Sequence, residues 1–354
     1  MSTQNSINLS ELDFFSFLKC GEIIQMPGSK QVWLGCGEIE NQIDSNFTTF
    51  FQSNFKGDQF STYTPKFLVK TNVESLSSYL EDNFKDRLRL NALRNGDDLF
   101  VEDVKEVVRL INSSKPIEKL VAVTTKDYHS SNQVHPLSRF SKFIELNGSI
   151  YGKWRNGKGF LGCSPEPLFT KNHDQWMTKA LAGTISTGIH NYDQILLNDE
   201  KEILEHELVI KDIVLKLNKF ATKICVGETI CIEFGSIAHI QTLINFENSK
   251  HGPHSLIKAL SPTAALGGFP GRHVHEFLSN LNYFKNEKNE RQFGGVFGLN
   301  SSEECFGLVS IRNIYWDKLG FTIHSGCGVV KDSIPEKELK EVQNKRFIIE
   351  RIFS

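Results

Sequence analysis

The stretch SIYGKWRNGKGFLGC, residues 149–163, decides the fold. Two strand-like runs that contain aromatic and aliphatic residues, Ser149–Trp154 and Gly159–Cys163, flank the pair Asn156-Gly157. An Asn-Gly pair between two such runs is the strongest short-range signal for a β-hairpin, because both residues accept the backbone angles of the tight turn. The stretch is therefore predicted to form two antiparallel strands.

Similar strand-like runs lie on both sides of this hairpin, and turns rather than helices join most of them. They are Leu120–Val123, Ile230–Phe234, His239–Phe246, Gly295–Leu299, Gly307–Ile314 and Gly320–His324. Apolar residues recur at helical spacing in four other stretches, namely Ser75–Leu93, Asp199–Phe220, His273–Leu281 and Glu336–Ile352. Strands joined by turns pair antiparallel, so the sequence predicts an α+β fold with helices packed outside antiparallel sheets.

Composition excludes several classes of protein. The 40 Lys and Arg residues nearly balance the 42 Asp and Glu residues, so no global charge attracts nucleic acid or an anionic membrane. The seven cysteines are widely spaced, which argues against a disulfide framework and favours a reducing compartment. No secretory signal is evident, and no run approaches the roughly 18 apolar residues of a membrane span. We therefore expect a cytoplasmic protein that binds neither nucleic acid nor membrane.

Acidic residues cluster on two of the predicted helices. Glu202 and Glu205 lie one helical turn apart, and Glu338, Glu341 and Lys345 share a face of the last helix. On spacing alone, exposed and ion-pairing surfaces are the better explanation of both faces. Carboxylates from two helices could instead bind Mg²⁺, which prefers oxygen ligands. Periodicity does not show whether the two faces meet.

Three further charged residues adjoin predicted strands. Lys119 begins an apolar strand, Glu166 follows one and Arg312 interrupts one. Each could be an ordinary strand-edge or turn residue. In a buried pocket, however, the lysine could act as a base, the glutamate as an acid with a raised pKa, and the arginine as a carboxylate ligand. The residues alone leave both interpretations open.

Eight short motifs occur in a fixed order: GCSPE (162–166), LAGT (181–184), EHELV (205–209), SPTAALGGFP (261–270), FGG (293–295), SIR (310–312), SGCGVV (325–330) and PEKELKE (335–341). The series resembles the chorismate-binding enzyme family, and most of all its isochorismate synthases. The resemblance implies a single α+β domain built on two large antiparallel sheets. Residues 1–110 would be the variable N-terminal part of this fold and residues 111–354 its chorismate-binding catalytic region.

The resemblance also implies roles for individual residues. Lys119 matches the base that activates water, and Glu166 matches the acid that protonates the departing hydroxyl. Glu205 and Glu341 match ligands of a Mg²⁺ cofactor, with Glu338 adjacent to them. The substrate-binding residues implied by position are Gly183, His239, Arg312, Gly328 and Lys345.

The activity implied is the Mg²⁺-dependent conversion of chorismate to isochorismate, feeding menaquinone or siderophore synthesis. Ala182 stands where aminodeoxychorismate synthases place a nucleophilic lysine, and Lys119 stands where anthranilate synthases typically have glutamine. Ammonia chemistry and an amidotransferase partner are therefore not expected, and we expect a monomer. The open alternatives are a salicylate synthase, an aminase of the anthranilate or aminodeoxychorismate type, and a catalytically silent chorismate-binding subunit. Ser261, where the family often has histidine, leaves specificity open.

Overall fold

The computed structural model describes residues 4–39, 47–113, 115–132, 134–172, 175–248, 251–286 and 293–354. The strands in these ranges are β1 (Asn5–Ser6), β2 (Cys20–Gln25), β3 (Gln31–Cys36), β4 (Thr49–Ser53), β5 (Phe60–Tyr63), β6 (Phe67–Asn72), β7 (Asn91–Asn95), β8 (Lys119–His129), β9 (Ser149–Arg155), β10 (Lys158–Ser164), β11 (Pro167–Asn172), β12 (Gln175–Ser186), β13 (Ile224–Phe234), β14 (Ile237–Phe246), β15 (Gly268–Phe269), β16 (Val296–Asn300), β17 (Cys305–Val309), β18 (Asn313–Asp317) and β19 (Gly320–Val329).

The α-helices in the same ranges are α1 (Phe14–Lys19), α2 (Val73–Asn83), α3 (Asp97–Ile111), α4 (Phe140–Ile144), α5 (Tyr192–Asn198), α6 (Glu200–Leu217), α7 (Pro253–Leu260), α8 (Gly271–Leu278), α9 (Asn282–Asn286) and α10 (Pro335–Glu350). Short 3-10 helices cover Leu9–Glu11 and Pro136–Arg139. Among the described residues, every helix is too short or too polar to cross a lipid bilayer.

The described strands form two sheets. The larger sheet has eleven strands in the order β1-β6-β3-β2-β9-β10-β18-β19-β8-β15, with β7 also paired to β8. The smaller sheet has eight strands in the order β13-β14-β12-β11-β17-β16-β4-β5. Neighbouring strands in these ranges run antiparallel, apart from β1 and β6, which are parallel. The predicted α+β class with two large antiparallel sheets is confirmed.

The hairpin at residues 149–163 forms as the sequence predicts. Strands β9 and β10 pair antiparallel, from Ser149 opposite Ser164 to Arg155 opposite Lys158. The turn residues Asn156 and Gly157 have φ angles of 51° and 78°, the left-handed geometry that the right-handed twist of a two-residue hairpin requires. This hairpin occupies the middle of the larger sheet, where β2 pairs with β9 and β18 with β10.

The first 110 residues contribute strands to both sheets. Strand β2 pairs with β9 in the larger sheet, and β4 pairs with β16 in the smaller one. Aromatic side chains fill the space between the sheets, with the Phe160 ring 5.5 Å from the Phe297 ring and the Tyr151 ring 6.3 Å from it. The N-terminal part is therefore packed into the same two-sheet structure as the rest of the chain.

Two sequence-based predictions of elements were wrong. The helix predicted over Ser75–Leu93 ends at Asn83, and Asn91–Asn95 is strand β7. Residues of this strand satisfy their backbone groups on the edge of β8, and such tertiary pairing outweighs a helical pattern. The strand predicted over Gly307–Ile314 is two strands, because the chain crosses from the smaller to the larger sheet at Arg312, whose φ is 54°.

A buried ion pair holds the last helix, α10, against the sheet. The Arg346 guanidinium donates two hydrogen bonds of 2.9 Å to the Asp97 carboxylate at the start of α3. Thr124 on β8 also donates to Asp97, at 3.3 Å. Burial opposes ionisation, but the hydrogen bonds from Arg346 and its neighbours hold the pKa of Asp97 below its ordinary value. The pair therefore fixes α10 relative to both α3 and β8.

We expect Asp97→Asn to lower the free energy of unfolding by roughly 2 to 4 kcal/mol, because it leaves the buried Arg346 guanidinium with only the more distant Glu350 carboxylate, 3.4 Å from its Nε atom, as anionic partner. The matched control is Glu106→Gln, which removes the exposed ion pair between Glu106 and Arg109. It should lower the free energy of unfolding by less than about 1 kcal/mol. Denaturant unfolding at pH 7 measures both. The Asp97 effect should shrink as the pH falls below 3.8, where the unfolded carboxyl becomes protonated. Equal effects of the two substitutions would contradict this role.

Candidate active site

A cavity lies between the two sheets and helices α6 and α10. Its walls come from strands of both sheets, from the turn that joins β17 to β18, and from the two helices. The lining includes Glu166, Ala182, Gly183, Glu205, His239, Leu266, Arg312, Gly328 and Lys345. Residues far apart in sequence thus surround one small volume.

Lys119 lies behind this cavity and contacts Glu205. The Lys119 Nζ atom is 3.0 Å from Glu205 Oε1, and Lys119 has no solvent exposure. Strand β8 carries the lysine, and helix α6 carries the glutamate. Gly328 on β19 packs against both, since a Cβ atom there would lie 2.2 Å from Glu205 Oε1 and 2.4 Å from Lys119 Cε. Only glycine leaves room for this ion pair.

Glu166 lies in the turn between β10 and β11 and faces the cavity. The Ser164 hydroxyl accepts a hydrogen bond from the Glu166 backbone N–H at 3.2 Å, which fixes the turn. Burial raises the pKa of Glu166 to about 7, although Lys119, Arg312 and Lys345 oppose the shift. A substantial fraction of this carboxyl group is therefore protonated near neutral pH and can donate a proton.

Arg312 and His239 form a second buried pair at the cavity. Arg312 Nη2 donates to His239 Nε2 at 3.2 Å, so His239 donates from Nδ1 to the Gly183 carbonyl at 3.0 Å. Burial and then the charges of Arg312 and Lys345 lower the pKa of His239 well below its ordinary value, which keeps the imidazole neutral. Burial likewise lowers the pKa of Arg312 to about 10. Arg312 Nε is buried and makes no hydrogen bond to the described residues.

The backbone at Gly183 departs from regular strand geometry. The register of β12 against β14 shifts between Ala182 and Thr184, so Gly183 is a bulge residue, with φ of 75°. The Thr184 N–H donates to Glu202 Oε2 at 2.9 Å, which connects the bulge to α6. Across the cavity, Lys345 Nζ donates to the Gly326 carbonyl at 3.1 Å. Both segments face the same space as Arg312.

Helices α6 and α10 bring four glutamates together. They are Glu202, Glu205, Glu338 and Glu341. The Lys201 ammonium lies among three of them, 2.9 Å from Glu202 Oε1, 3.0 Å from Glu338 Oε1 and 3.6 Å from Glu205 Oε2. Lys345 Nζ is 2.6 Å from Glu341 Oε1. The two acidic helix faces identified in the sequence therefore meet.

The charged groups of this cluster shift one another's pKa values. Burial, followed by the charge of Glu341, raises the pKa of Glu202 to about 8 and also raises that of Glu338. Burial alone would raise the pKa of Glu341 too, but Lys345 and Lys201 bring it below its ordinary value. Burial opposes the charged form of Lys201, yet the surrounding carboxylates raise its pKa. Burial and mutual repulsion therefore favour protonation of Glu202 and Glu338, while the two lysines stabilise the charge of Glu341.

The cluster is chemically suited to a hard divalent cation. Glu205 Oε2 and Glu338 Oε2 are buried and make no hydrogen bond to the described residues, so each has a lone pair to offer. Carboxylate oxygens are the ligands that Mg²⁺ prefers. The thiol of Cys327 also adjoins the cluster, because its Sγ atom lies within 4.8 Å of carboxylate oxygens of Glu338 and Glu341. The sequence analysis did not predict this residue. Burial raises the pKa of this thiol well above its ordinary value.

The structure brings all ten sequence-predicted site residues to one region, with Lys119 one contact behind the cavity wall. The sequence analysis missed Lys201, Cys327 and the part played by Thr184. Lys201 and Glu205 are four residues apart, so helical spacing could have placed them on one face. No such local signal exists for Cys327, because its neighbours belong to another element.

We expect Gly328→Ala to separate Lys119 from Glu205, because the added methyl group would overlap both side chains. Breaking a buried ion pair costs several kcal/mol, so stability should fall by roughly 3 kcal/mol. The control is Gly188→Ala, where the nearest heavy atom would be 3.6 Å from the new Cβ atom. Thermal unfolding of both variants tests the expectation. Equal midpoints for Gly328→Ala and the wild type would show that the pair is not constrained there.

The raised pKa of Glu166 predicts a pH-dependent stability cost. Between pH 4.5 and about 7 the unfolded carboxyl ionises while the folded one stays protonated, so wild-type stability falls as the pH rises through this range. We expect Glu166→Gln, which is never charged, to be more stable than the wild type at pH 8, by roughly 1 to 3 kcal/mol. At pH 4.5 the two should be nearly equal. Unfolding at both pH values measures the difference, and a pH-independent difference would exclude the raised pKa.

Comparison with known proteins identifies relatives of this chain. A family model described as chorismate binding enzyme matches residues 11–352. Isochorismate synthase MenF of Haemophilus influenzae is 27% identical over 268 residues, which are 72% of this chain and 60% of that protein. Anthranilate synthase component 1 of Lactococcus lactis is 25% identical over 292 residues, which are 78% of this chain and 62% of that protein. The chain thus spans about 60% of the length of these relatives.

A solved structure agrees with the fold. The structure of MenF, the menaquinone-specific isochorismate synthase from Escherichia coli, is similar with a TM-score of 0.82. The similarity covers 98% of this chain and 93% of that one, at 18% sequence identity. The two-sheet architecture is therefore shared. Because the family model spans nearly the whole sequence, this chain belongs to the chorismate-binding enzyme family.

Proposed function

We propose that this chain is an isochorismate synthase, which interconverts chorismate and isochorismate with Mg²⁺ as cofactor. One observation carries the proposal. A glutamic acid with a raised pKa, a buried arginine and Glu205 of the carboxylate cluster line a single cavity, and the buried Lys119 contacts Glu205 from behind the cavity wall. These groups are a base, an acid, a cation site and an anion site within reach of one small molecule.

The basic groups suit a substrate with two carboxylates, as chorismate has. Arg312 Nε has no hydrogen-bond acceptor among the described residues, and an arginine can bind a carboxylate through two of its N–H groups. Lys345 and the bulged backbone at Gly183 border the same cavity. His239 is neutral and accepts from Arg312, so it orients the guanidinium without repelling it. We propose that these groups hold the substrate.

The reaction replaces one ring hydroxyl by another. Lys119 would take a proton from a water molecule whose oxygen then bonds to a ring carbon. Glu166 would give its proton to the hydroxyl that leaves another ring carbon, so that it departs as water. Glu166 is suited to this step because its pKa of about 7 keeps much of the acid protonated near neutral pH.

The carboxylate cluster would hold the metal ion, with Glu205 and Glu341 as ligands and Glu338 beside them. When bound, Mg²⁺ would offset the negative charge of a dianionic substrate and of the glutamates that would otherwise repel it. Glu205 also contacts Lys119, at 3.0 Å. One carboxylate therefore connects the metal position to the proposed base.

The residue at position 182 separates this proposal from the aminating reactions. Ala182 lies in the cavity wall and has no nucleophilic atom, so a covalent intermediate cannot form there. Lys119 supplies a base for water, which an ammonia-using enzyme does not need. We therefore propose that the chain works without an amidotransferase partner, in the cytoplasm and as a monomer. A salicylate synthase would share the same acid, base and metal residues and is distinguished by its products.

The test is to incubate the purified chain with chorismate and Mg²⁺, with and without ammonium, and to separate the products by chromatography. We expect a mixture of chorismate and isochorismate, because moving a hydroxyl on a similar diene provides little driving force. Excess EDTA should abolish the reaction. Lys119→Gln should lower turnover by roughly 10²- to 10⁴-fold, the usual contribution of a general base. Its control is Lys126→Gln on the same strand, paired with Glu350 outside the cavity, which should change turnover less than about twofold.

Other outcomes would replace the proposal. Pyruvate released in step with chorismate loss would indicate a salicylate synthase. An aromatic amine formed with ammonium would indicate an aminase and would contradict the argument from Ala182. Bound chorismate without reaction would indicate a silent subunit. Full turnover in EDTA would remove the metal from the mechanism.

A further inference from the structure

The position of Lys201 within the carboxylate cluster is not explained by the reaction. Its ammonium contacts three glutamates from two helices, at 2.9 Å, 3.0 Å and 3.6 Å. Its side chain is only 19% exposed. An ammonium with three carboxylate neighbours occupies the kind of position in which a metal ion would be expected.

Two features of α6 place the lysine there. Asp199 caps the helix by accepting hydrogen bonds from the backbone N–H groups of Lys201 and Glu202, at 3.0 Å and 3.1 Å. Lys201 and Glu205 are then one turn apart on the same face. The side chain lies over its own helix and reaches Glu338 on α10. The contact thus bridges the two helices that carry the acidic cluster.

The Lys201 side chain also borders a second cavity that its ammonium group could occupy. A second, more open cavity borders the cluster on its outer side, and its lining includes Lys201, Glu202, Glu338 and Glu341 together with the exposed Lys340. A lysine has a flexible four-carbon stem. The ammonium can therefore move outward along this cavity by rotation of the side chain alone, without displacement of the helix.

We propose that Lys201 is an internal counter-ion that occupies the cation position of this cluster, and that Mg²⁺ binds by exchanging with its ammonium group. The inference rests on the proposed Mg²⁺ dependence. Lys201 contacts Glu205 and Glu338, two of the carboxylates of the proposed metal site, and Mg²⁺ needs its ligand oxygens at roughly 2.0–2.1 Å, too close to share with an ammonium group. Exchange keeps the four glutamates from repelling one another in the metal-free protein. It also weakens Mg²⁺ binding, because the metal must displace a cation already bound.

The experiment compares Mg²⁺ binding to the wild type and to Lys201→Met by isothermal titration calorimetry without substrate. Methionine keeps the length of the side chain and removes its charge. We expect Lys201→Met to bind Mg²⁺ at least roughly tenfold more tightly, because a neighbouring positive charge is removed. Without metal, the unfolding temperature of Lys201→Met should lie below that of the wild type. Saturating Mg²⁺ should raise the unfolding temperature of the variant by more than it raises that of the wild type. Lys340→Met removes a charge from the same outer cavity without touching the cluster and should change the dissociation constant less than about threefold.

Each outcome decides the matter. Unchanged or weaker Mg²⁺ binding by Lys201→Met would contradict the proposed exchange. It would show that the lysine does not compete with the metal ion for the carboxylates. A tightening as large in Lys340→Met would reduce the effect to general electrostatics and would overturn it too. If Lys201→Met is unfolded without metal, refolding at a Mg²⁺ concentration below the wild-type dissociation constant supports the exchange, and failure to refold contradicts it. If neither protein binds Mg²⁺, the proposed exchange is wrong. Whether the wild type forms isochorismate in EDTA then tests the proposed reaction separately from the exchange.

Discussion

The site depends on the buried contact between the Lys119 ammonium and the Glu205 carboxylate, whose charged atoms are 3.0 Å apart. A buried charge is costly unless its partner is in place, so strand β8 and helix α6 are held at one separation. Gly328 is required because any side chain there would enter the same space. Lys119 as the proposed base, Glu205 as a proposed metal ligand and the closely packed Gly328 therefore form one unit. A substitution at any of the three would displace the other two.

Charge is distributed unequally around the cavity. One side holds the glutamates of α6 and α10 together with Lys201 and with Lys345, which pairs with Glu341, and the other side holds Arg312. His239 lies beside Arg312 and is neutral, which leaves the cationic side free of a competing hydrogen-bond donor at that point. In the proposed complex, Mg²⁺ would lie on the acidic side and the dianionic substrate between the two sides. Burial raises the pKa of Glu166 to about 7, and the positive charges of Lys119, Arg312 and Lys345 oppose that shift.

Much of the fold could be predicted because its signals are local. The Asn-Gly pair defines the hairpin at residues 149–163 through backbone angles that few other residues accept. The apolar spacing of α6 and α10 likewise reflects which face each helix buries. Prediction failed where long-range contacts decide the outcome. Asn91–Asn95 became a strand because the edge of β8 was available, and the run at Gly307–Ile314 was divided because the chain changes sheets at Arg312.

The sequence by itself determined which chemical groups are available, in which order, and on which face of each helix the glutamates lie. Only the tertiary structure decided that the faces of α6 and α10 meet, that Lys201 lies between them, and that Cys327 lies next to Glu338 and Glu341. The physical reason is that helical periodicity specifies a direction around one axis and carries no information about what that direction meets. Packing of two sheets and their helices fixes the meeting point, and with it the pKa values on which the chemistry depends.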